Sequence, residues 1–209
     1  MNAISKGKIV PLALAITAMI FSSPAYSIDA MQGHQETSNC RNANMQAFPK
    51  IKLSEKLYGL PGIDNVGRIS PCIYRGKQPT SKGYLTLKTM GVKTVINLRS
   101  AHGEKEEVEK AGMAYMEFPL SMASSIQKER FLEIIRAMSE PLNQPVYIHC
   151  ALGQDRTGVV VAAYRIDMDG WSFEDAEKEM QSFGCNDTWI HLKKSLKNFT
   201  NHSGKVLKP

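Results

Sequence analysis

The stretch His149 to Gly158, reading HCALGQDRTG, constrains this chain more than any other part of it. It joins a short apolar run of strand character, Pro145-Val146-Tyr147-Ile148, to an apolar run of helical length, Thr157-Gly158-Val159-Val160-Val161-Ala162-Ala163-Tyr164. Both runs are expected to be buried, so the loop between them must sit at a helix N-terminus. Backbone N–H groups there have no partner inside the helix, and the helix dipole adds partial positive charge. With Cys150 and Arg156 six positions apart across that loop, an anion or a thiolate is favoured at the same place.

A free cysteine, with a pKa of about 8.5, is mostly protonated at neutral pH, and the loop amides together with Arg156 are expected to favour the Cys150 thiolate. Arg156 keeps its proton, and its planar fork matches two oxygens of a phosphoryl group. Gly153 lets the backbone turn tightly and approach a ligand without a Cβ in the way. Ala151, Leu152, Gly153 and Gln154 then line the bound group through their backbone, and Thr157 is placed to donate its hydroxyl to the sulfur. His149 ends the strand and is read as an orienting residue. A lone cysteine is usually a small buried hydrophobe, but the glycine, arginine and threonine around Cys150 argue against that reading.

With these residues in place, the chain resembles the cysteine-dependent protein tyrosine and dual-specificity phosphatases, whose signature is HCxxGxxR followed by Ser or Thr. It is most similar to the small exported bacterial members of the dual-specificity group. The likeness extends more loosely over residues 66–200, including Ile73-Tyr74-Arg75-Gly76-Lys77-Gln78-Pro79 and the strand Val92 to Leu98. The resemblance implies Cys150 as nucleophile, Arg156 as phosphate ligand and Thr157 as leaving-group assistant, with neither metal nor cofactor. The family usually supplies a proton-donating aspartate from the loop after the third strand. Here that loop, Pro119-Leu120-Ser121-Met122-Ala123-Ser124-Ser125-Ile126-Gln127, contains no acid. Asp155 is nominated instead, against the equal alternative that it braces the loop, with Glu129 as a weaker candidate.

The signature loop offers no lysine for additional phosphates, so a singly phosphorylated group is expected: phosphotyrosine first, then phosphoserine or phosphothreonine, with a phosphoinositide or phospholipid headgroup as the alternative. Asp155 pulls towards the lipid reading, since some lipid phosphatases carry aspartate before the arginine. A pseudophosphatase that holds phosphorylated partners is opposed by the intact Cys150 and Arg156, and a thiol redox protein would leave the anion-binding loop unexplained. Arg75, Lys77, Lys93 and Arg99 fall near expected strand ends and could form a basic rim.

Lys6 and Lys8 precede an apolar run from Ile9 to Phe21 and then Ala25-Tyr26-Ser27, the three-part pattern of a secretory signal. The run is short for a membrane span, so an uncleaved anchor is the lesser alternative. Residues 1–27 are therefore expected to be a signal peptide cleaved after Ser27, giving a periplasmic or secreted protein. Cleavage removes two lysines and no acid, lowering the formal charge from +6 to +4. That mild basicity suits an anionic substrate and argues against nucleic acid, and no obligate partner is indicated. Near the C-terminus His191, Lys193, Lys194 and Lys197 alternate with Trp189, Leu192, Leu196 and Phe199 at helical spacing. This is read as a helix packed on the domain, with peripheral membrane contact as the other use of such a pattern. Export also permits disulfides among Cys40, Cys72 and Cys185, whose pairing the sequence leaves open.

Residues 28–65 are polar with little periodicity and are read as an N-terminal arm, 66–200 as the catalytic domain and 201–209 as a tail. Within the domain, strands near Cys72–Arg75, Lys93–Leu98, Met113–Phe118 and Val146–Cys150 alternate with helices over Ser81–Met90, Glu104–Ala111 and Gln127–Met138. Two further helices, Ser172–Phe183 and Thr188–Phe199, follow. The pattern predicts a single α/β domain with a central, mostly parallel sheet of four to five strands flanked by helices. Cys150 would lie beyond the carboxyl ends of the strands, where ligands bind in such sheets.

Overall fold

A computed structural model describes residues 53–100, 103–185 and 190–203. Residues 1–52, which hold the expected signal peptide and most of the arm, and the final residues of the tail lie outside the described part. The elements in chain order are β1 (Glu55–Leu57), β2 (Val66–Ser70), β3 (Ile73–Lys77), α1 (Ser81–Thr89), β4 (Thr94–Asn97), α2 (Lys105–Lys110), β5 (Ala114–Glu117), α3 (Lys128–Ser139), β6 (Val146–Cys150), α4 (Asp155–Met168), α5 (Phe173–Ser182) and α6 (Ile190–Ser203).

The strands form one sheet in the order β1-β2-β3-β6-β4-β5. β3, β6, β4 and β5 are parallel to one another, whereas β1 and β2 join as an antiparallel margin. β6 is thus central, with Lys77 of β3 opposite Cys150 and Asn97 of β4 opposite His149. The sheet has six strands rather than the four to five expected, and it begins inside the stretch read as an arm. β1 is three residues long with Glu55 and Lys56 exposed, a charged edge that carries no apolar signal and discourages pairing with another chain. β2 contains Gly67, and its register with β3 shifts between Arg68 and Ser70, which blurs the alternation that would have marked it.

Period-two alternation distributes the sheet's side chains between two cores. Val146, Ile148 and Cys150 of β6 face a layer built from α3, α4, α5 and α6, together with Phe131, Ile134, Val160, Met180 and Phe199. Tyr147 faces the opposite layer of α1 and α2, with Tyr84, Leu87 and Val108. Because β6 is covered on both sides, all five of its residues are buried, which explains its reading as an unbroken apolar run. Helix α4 runs through the larger layer with Val159, Val160, Val161, Ala162 and Ala163 at most 1% exposed.

Capping fixes where two helices start. The Thr80 hydroxyl accepts from the Gly83 N–H at 3.3 Å, and Ser172 Oγ accepts from the Asp175 N–H at 3.1 Å while donating to the Asp175 carboxylate at 2.9 Å. Arg165 and Glu179 tie α4 to α5 inside the protein, with Nη2 and Oε1 3.0 Å apart; Glu179 also accepts from the Ser54 amide and hydroxyl at 2.7 and 2.8 Å. In α6, Leu192, Leu196 and Phe199 are buried in the larger core, and Lys193 pairs with Glu177 at 2.9 Å. The apolar residues Leu192, Leu196 and Phe199 of this helix are thus taken up by the domain, as the packed-helix reading expects.

Phe131 of α3 packs on Phe199 of α6 with ring centroids 5.2 Å apart and the planes tilted by 56°. Phe131→Ala should destabilise the domain by about 3–5 kcal/mol, read from the midpoint of a denaturant melt at unchanged slope; a loss below about 1 kcal/mol would mean this contact contributes little.

Candidate active site

The signature loop leaves β6 at Cys150 and enters α4 at Asp155. Gln154, at the N-cap, makes no side-chain hydrogen bond to the first turn. The amides at this end therefore stay open to whatever occupies the loop. Gly153 adopts φ +69°, and a Cβ there would overlap the Gly76 carbonyl group and the Lys77 nitrogen. Glycine is thus required twice, for the left-handed turn and for the close packing of the loop against the end of β3.

An inward set of N–H groups turns carbonyls outward, and these have partners. Arg75 Nη2 donates to the Gly153 carbonyl at 2.7 Å. Asn65 Nδ2 donates to the carbonyls of Leu152 at 3.2 Å and Phe183 at 3.0 Å, with a longer contact to that of Gly153 at 3.4 Å. Asn65 itself has φ +50°, a conformation asparagine tolerates better than most residues. Neither Asn65 nor Arg75 was singled out by sequence as a support of the loop. The polar residue just before a strand was the only available signal, and it is weak.

Cys150 is 3% exposed and free. Thr157 is fully buried, and its hydroxyl has no hydrogen-bond partner among the described residues. Arg156 is half-buried, with no ion-pair partner among the described residues and its Nε unpaired. A cation without a countercharge beside an open helix end is suited to receive an anion. Ala151, Gln154 and Asp155 are half-buried, Gly153 is buried, and Leu152 stands exposed on the loop's outer side.

His149 points to the other face of the sheet. Its Nε2 lies 3.3 Å from Glu104 Oε1, within ion-pair distance although not aligned for a hydrogen bond, and its Nδ1 lies 3.3 Å from the Cys150 carbonyl oxygen. Glu104 Oε2 accepts from the Tyr84 hydroxyl at 2.7 Å and the Gln78 amide at 3.0 Å. Burial pushes the Glu104 carboxyl up, but His149, Tyr84 and Arg99 outweigh it and hold the group below the usual carboxylate range. Glu104, Gln78 and Tyr84 also line a cleft of about 450 Å³ between the end of β3 and the start of α2, on the face of the sheet opposite α4.

The four residues expected to form a basic rim do not share one location. Arg75 is fully buried, because alternation along β3 turns it into the layer that holds α4. Lys93 precedes β4 at the opposite end of the sheet from Cys150. Lys77 and Arg99 remain at the carboxyl edge, Lys77 paired with Asp64 at 3.5 Å. The loop from Pro119 to Gln127 has buried Leu120 and Ile126 with exposed serines between them, and Glu129 is exposed in the first turn of α3.

Of the remaining cysteines, Cys72 is disulfide-bonded, its partner lying outside the described residues, and Cys185 is free. Burial first, then the neighbouring Asp155 carboxylate and its hydrogen bond, push the Cys185 thiol up to about 12. Asp155 is thereby engaged with Cys185 on one side.

A central parallel strand feeding a cysteine into an open loop at a helix N-terminus, with arginine closing the loop, defines a phosphatase domain of the tyrosine and dual-specificity class. A family model described as DSP-PTPase phosphatase fused to NAD+ kinase matches residues 64–198, and the chain belongs to that family. Dual specificity protein phosphatase TpbA of Pseudomonas aeruginosa is 30% identical over 124 residues, covering 59% of this chain and 56% of that protein. The inositol diphosphatase DSP2 of Oryza sativa subsp. japonica is 25% identical over 128 residues, 58% of this chain and 62% of that one. The chain thus spans little more than half the length of these curated relatives. A crystal structure of P. aeruginosa TpbA in complex with phosphotyrosine superimposes with a TM-score of 0.62 at 23% identity, covering 77% of this chain and all of that one.

A thiol whose pKa is raised to about 12 stays protonated at neutral pH and becomes nucleophilic only as the pH nears that value. Iodoacetate at pH 7 should therefore label Cys150 and leave Cys185 unmodified, as read by peptide mass spectrometry. Equal labelling of the two would contradict this description of the site.

Proposed function

We propose that this chain is an exported phosphatase that hydrolyses phosphate monoesters, phosphotyrosine foremost, through a cysteinyl-phosphate intermediate. The observation that carries the proposal is the Arg156 guanidinium, without an ion-pair partner among the described residues, at an uncapped helix end and in one loop with the buried, free Cys150. In the proposed reaction the Cys150 sulfur attacks phosphorus, the bond from phosphorus to the ester oxygen breaks, and that oxygen takes a proton from Asp155. Water then attacks phosphorus, the S–P bond breaks with Thr157 donating a hydrogen bond to the departing thiolate, and Asp155 takes the water's proton. Arg156 and the amides of residues 151–156 hold the three non-bridging oxygens as charge builds on them. His149, held near Glu104 and the Cys150 carbonyl, fixes the strand end from behind.

Phosphotyrosine is favoured because the loop side chains of Ala151, Leu152 and Gln154 supply no cation for further phosphates, and exposed Leu152 offers an apolar contact to an aryl ring. Phosphoserine and phosphothreonine are secondary substrates of the same chemistry. A phosphoinositide or inositol phosphate is the second reading, favoured by the likeness to the rice inositol diphosphatase. Export rests on the Lys6, Lys8 and Ile9–Phe21 pattern with cleavage after Ser27, and the Cys72 disulfide suits an oxidising compartment. Among the described residues, no helix is long and apolar enough to cross a membrane.

Residues 28–209 should release phosphate from p-nitrophenyl phosphate and from a phosphotyrosine peptide, and Cys150→Ser should lower turnover by at least about a thousandfold. Release at the level of Cys150→Ser would end the enzyme proposal, and a preference for inositol phosphates over the peptide would select the second reading. Asp155→Asn should slow turnover most for leaving groups of high pKa; an unchanged leaving-group dependence would return Asp155 to a bracing role beside Cys185.

A further inference from the structure

β3 is a fully covered strand, and an arginine in its middle should cost folding free energy unless its charge is used. Arg75 is 0% exposed, and no carboxylate lies within ion-pair distance of it among the described residues. The countercharge acting on it most strongly is Glu179, but that carboxylate is committed to Arg165 at 3.0 and 3.2 Å and to Ser54 at 2.7 and 2.8 Å. Only Nη2 of Arg75 is hydrogen-bonded, to the Gly153 carbonyl at 2.7 Å, while Nε and Nη1 have no partner among the described residues. The guanidinium is nevertheless held firmly. Its carbon lies 4.0 Å from the centre of the Phe183 ring. That ring occupies the space a Cβ on Gly67 would need.

We propose that Arg75 is a positioning residue for the signature loop, an internal cation that draws the Gly153 carbonyl away from the ligand and lends its charge, from behind the loop, to the Cys150 thiolate and to a bound oxyanion. This rests on the function proposed above and extends it to a residue that cannot touch substrate. Burial lowers the Arg75 pKa to about 10, with Glu179 and then Cys150 opposing the shift, so the group remains charged at neutral pH. A thiolate at Cys150 and the charge on Arg75 stabilise each other, and the low polarisability of the surroundings makes the coupling larger than across water. Arg156 would hold the phosphoryl group from the open side while Arg75 acts through the backbone on the closed side.

The two contributions of Arg75 separate experimentally, and the readout needs no substrate, so it remains informative even if the phosphatase reading fails. The rate of Cys150 alkylation in ligand-free protein is followed against pH, with the label located by mass spectrometry. Arg75→Gln keeps a donor for Gly153 and loses the charge; it should raise the pH midpoint by about one unit. Arg75→Lys should return the midpoint to near the wild-type value. Asn65→Ala, which frees the Leu152 and Phe183 carbonyls without changing charge, should weaken inhibition by inorganic phosphate and leave the midpoint in place. A folded Arg75→Gln with an unchanged midpoint overturns the proposal, as does an equal shift in Asn65→Ala. If Arg75→Gln does not fold, the wild-type protein decides: a buried charge is poorly screened, so the midpoint should hold between about 0.05 and 1 M salt. A midpoint that climbs by half a unit or more would instead assign the effect to exposed charges such as Lys77 and Arg99.

Discussion

The arrangement depends on which way the peptide groups of one short loop face. For the amides of residues 151–156 to converge on a single anion, the carbonyls must diverge, and diverging carbonyls near a protein core need donors. Arg75 and Asn65 are those donors: Arg75 comes from β3, the parallel neighbour of β6, and Asn65 from the lead-in to β2 in the antiparallel margin, so neither belongs to the β6–α4 unit that bears the signature. The margin built from β1 and β2 is thus more than an edge. It carries Asn65 to the loop and, through Gly67, leaves room for the Phe183 ring that lies on Arg75.

Buried charge is placed sparingly and for two different purposes. Arg165, Asp169 and Glu179 form a satisfied group that locks α4 to α5, with each carboxylate in contact with the guanidinium. Arg75 and Arg156, beside the signature loop, have no ion-pair partner among the described residues. Across the sheet, Glu104 is held ionised by His149, Tyr84 and Arg99 against the penalty of burial. That interaction is present above the ordinary carboxylate range and fades as the pH falls through the lowered value, so this face of the site is stable at neutral pH and weakens in acid.

Much of this was legible in the sequence wherever one physical demand dominated. The parallel core strands, the helices between them and the loop at Cys150 follow from apolar periodicity and from a glycine that only a tight turn would require. β1 and β2 were hidden because an edge strand needs no apolar face and a glycine-bearing, register-shifted strand breaks the alternation. Arg75 was misread for a related reason. Its position near a strand end suggested a place in a basic rim, and only the three-dimensional neighbours, a glycine on β2 and an aromatic after α5, make room for a buried guanidinium. The nearness of Cys185 to Asp155 had no local signal either, since thirty residues separate them.

The central claim is that phosphorus passes through the Cys150 sulfur. Rapid mixing of the enzyme with a radiolabelled phosphotyrosine peptide, followed by acid quenching within milliseconds and peptide mapping, tests it directly. The account predicts label on the peptide that contains Cys150, absent from Cys150→Ser. Turnover of the same substrate with no label on the protein, or with label on another residue, would contradict it.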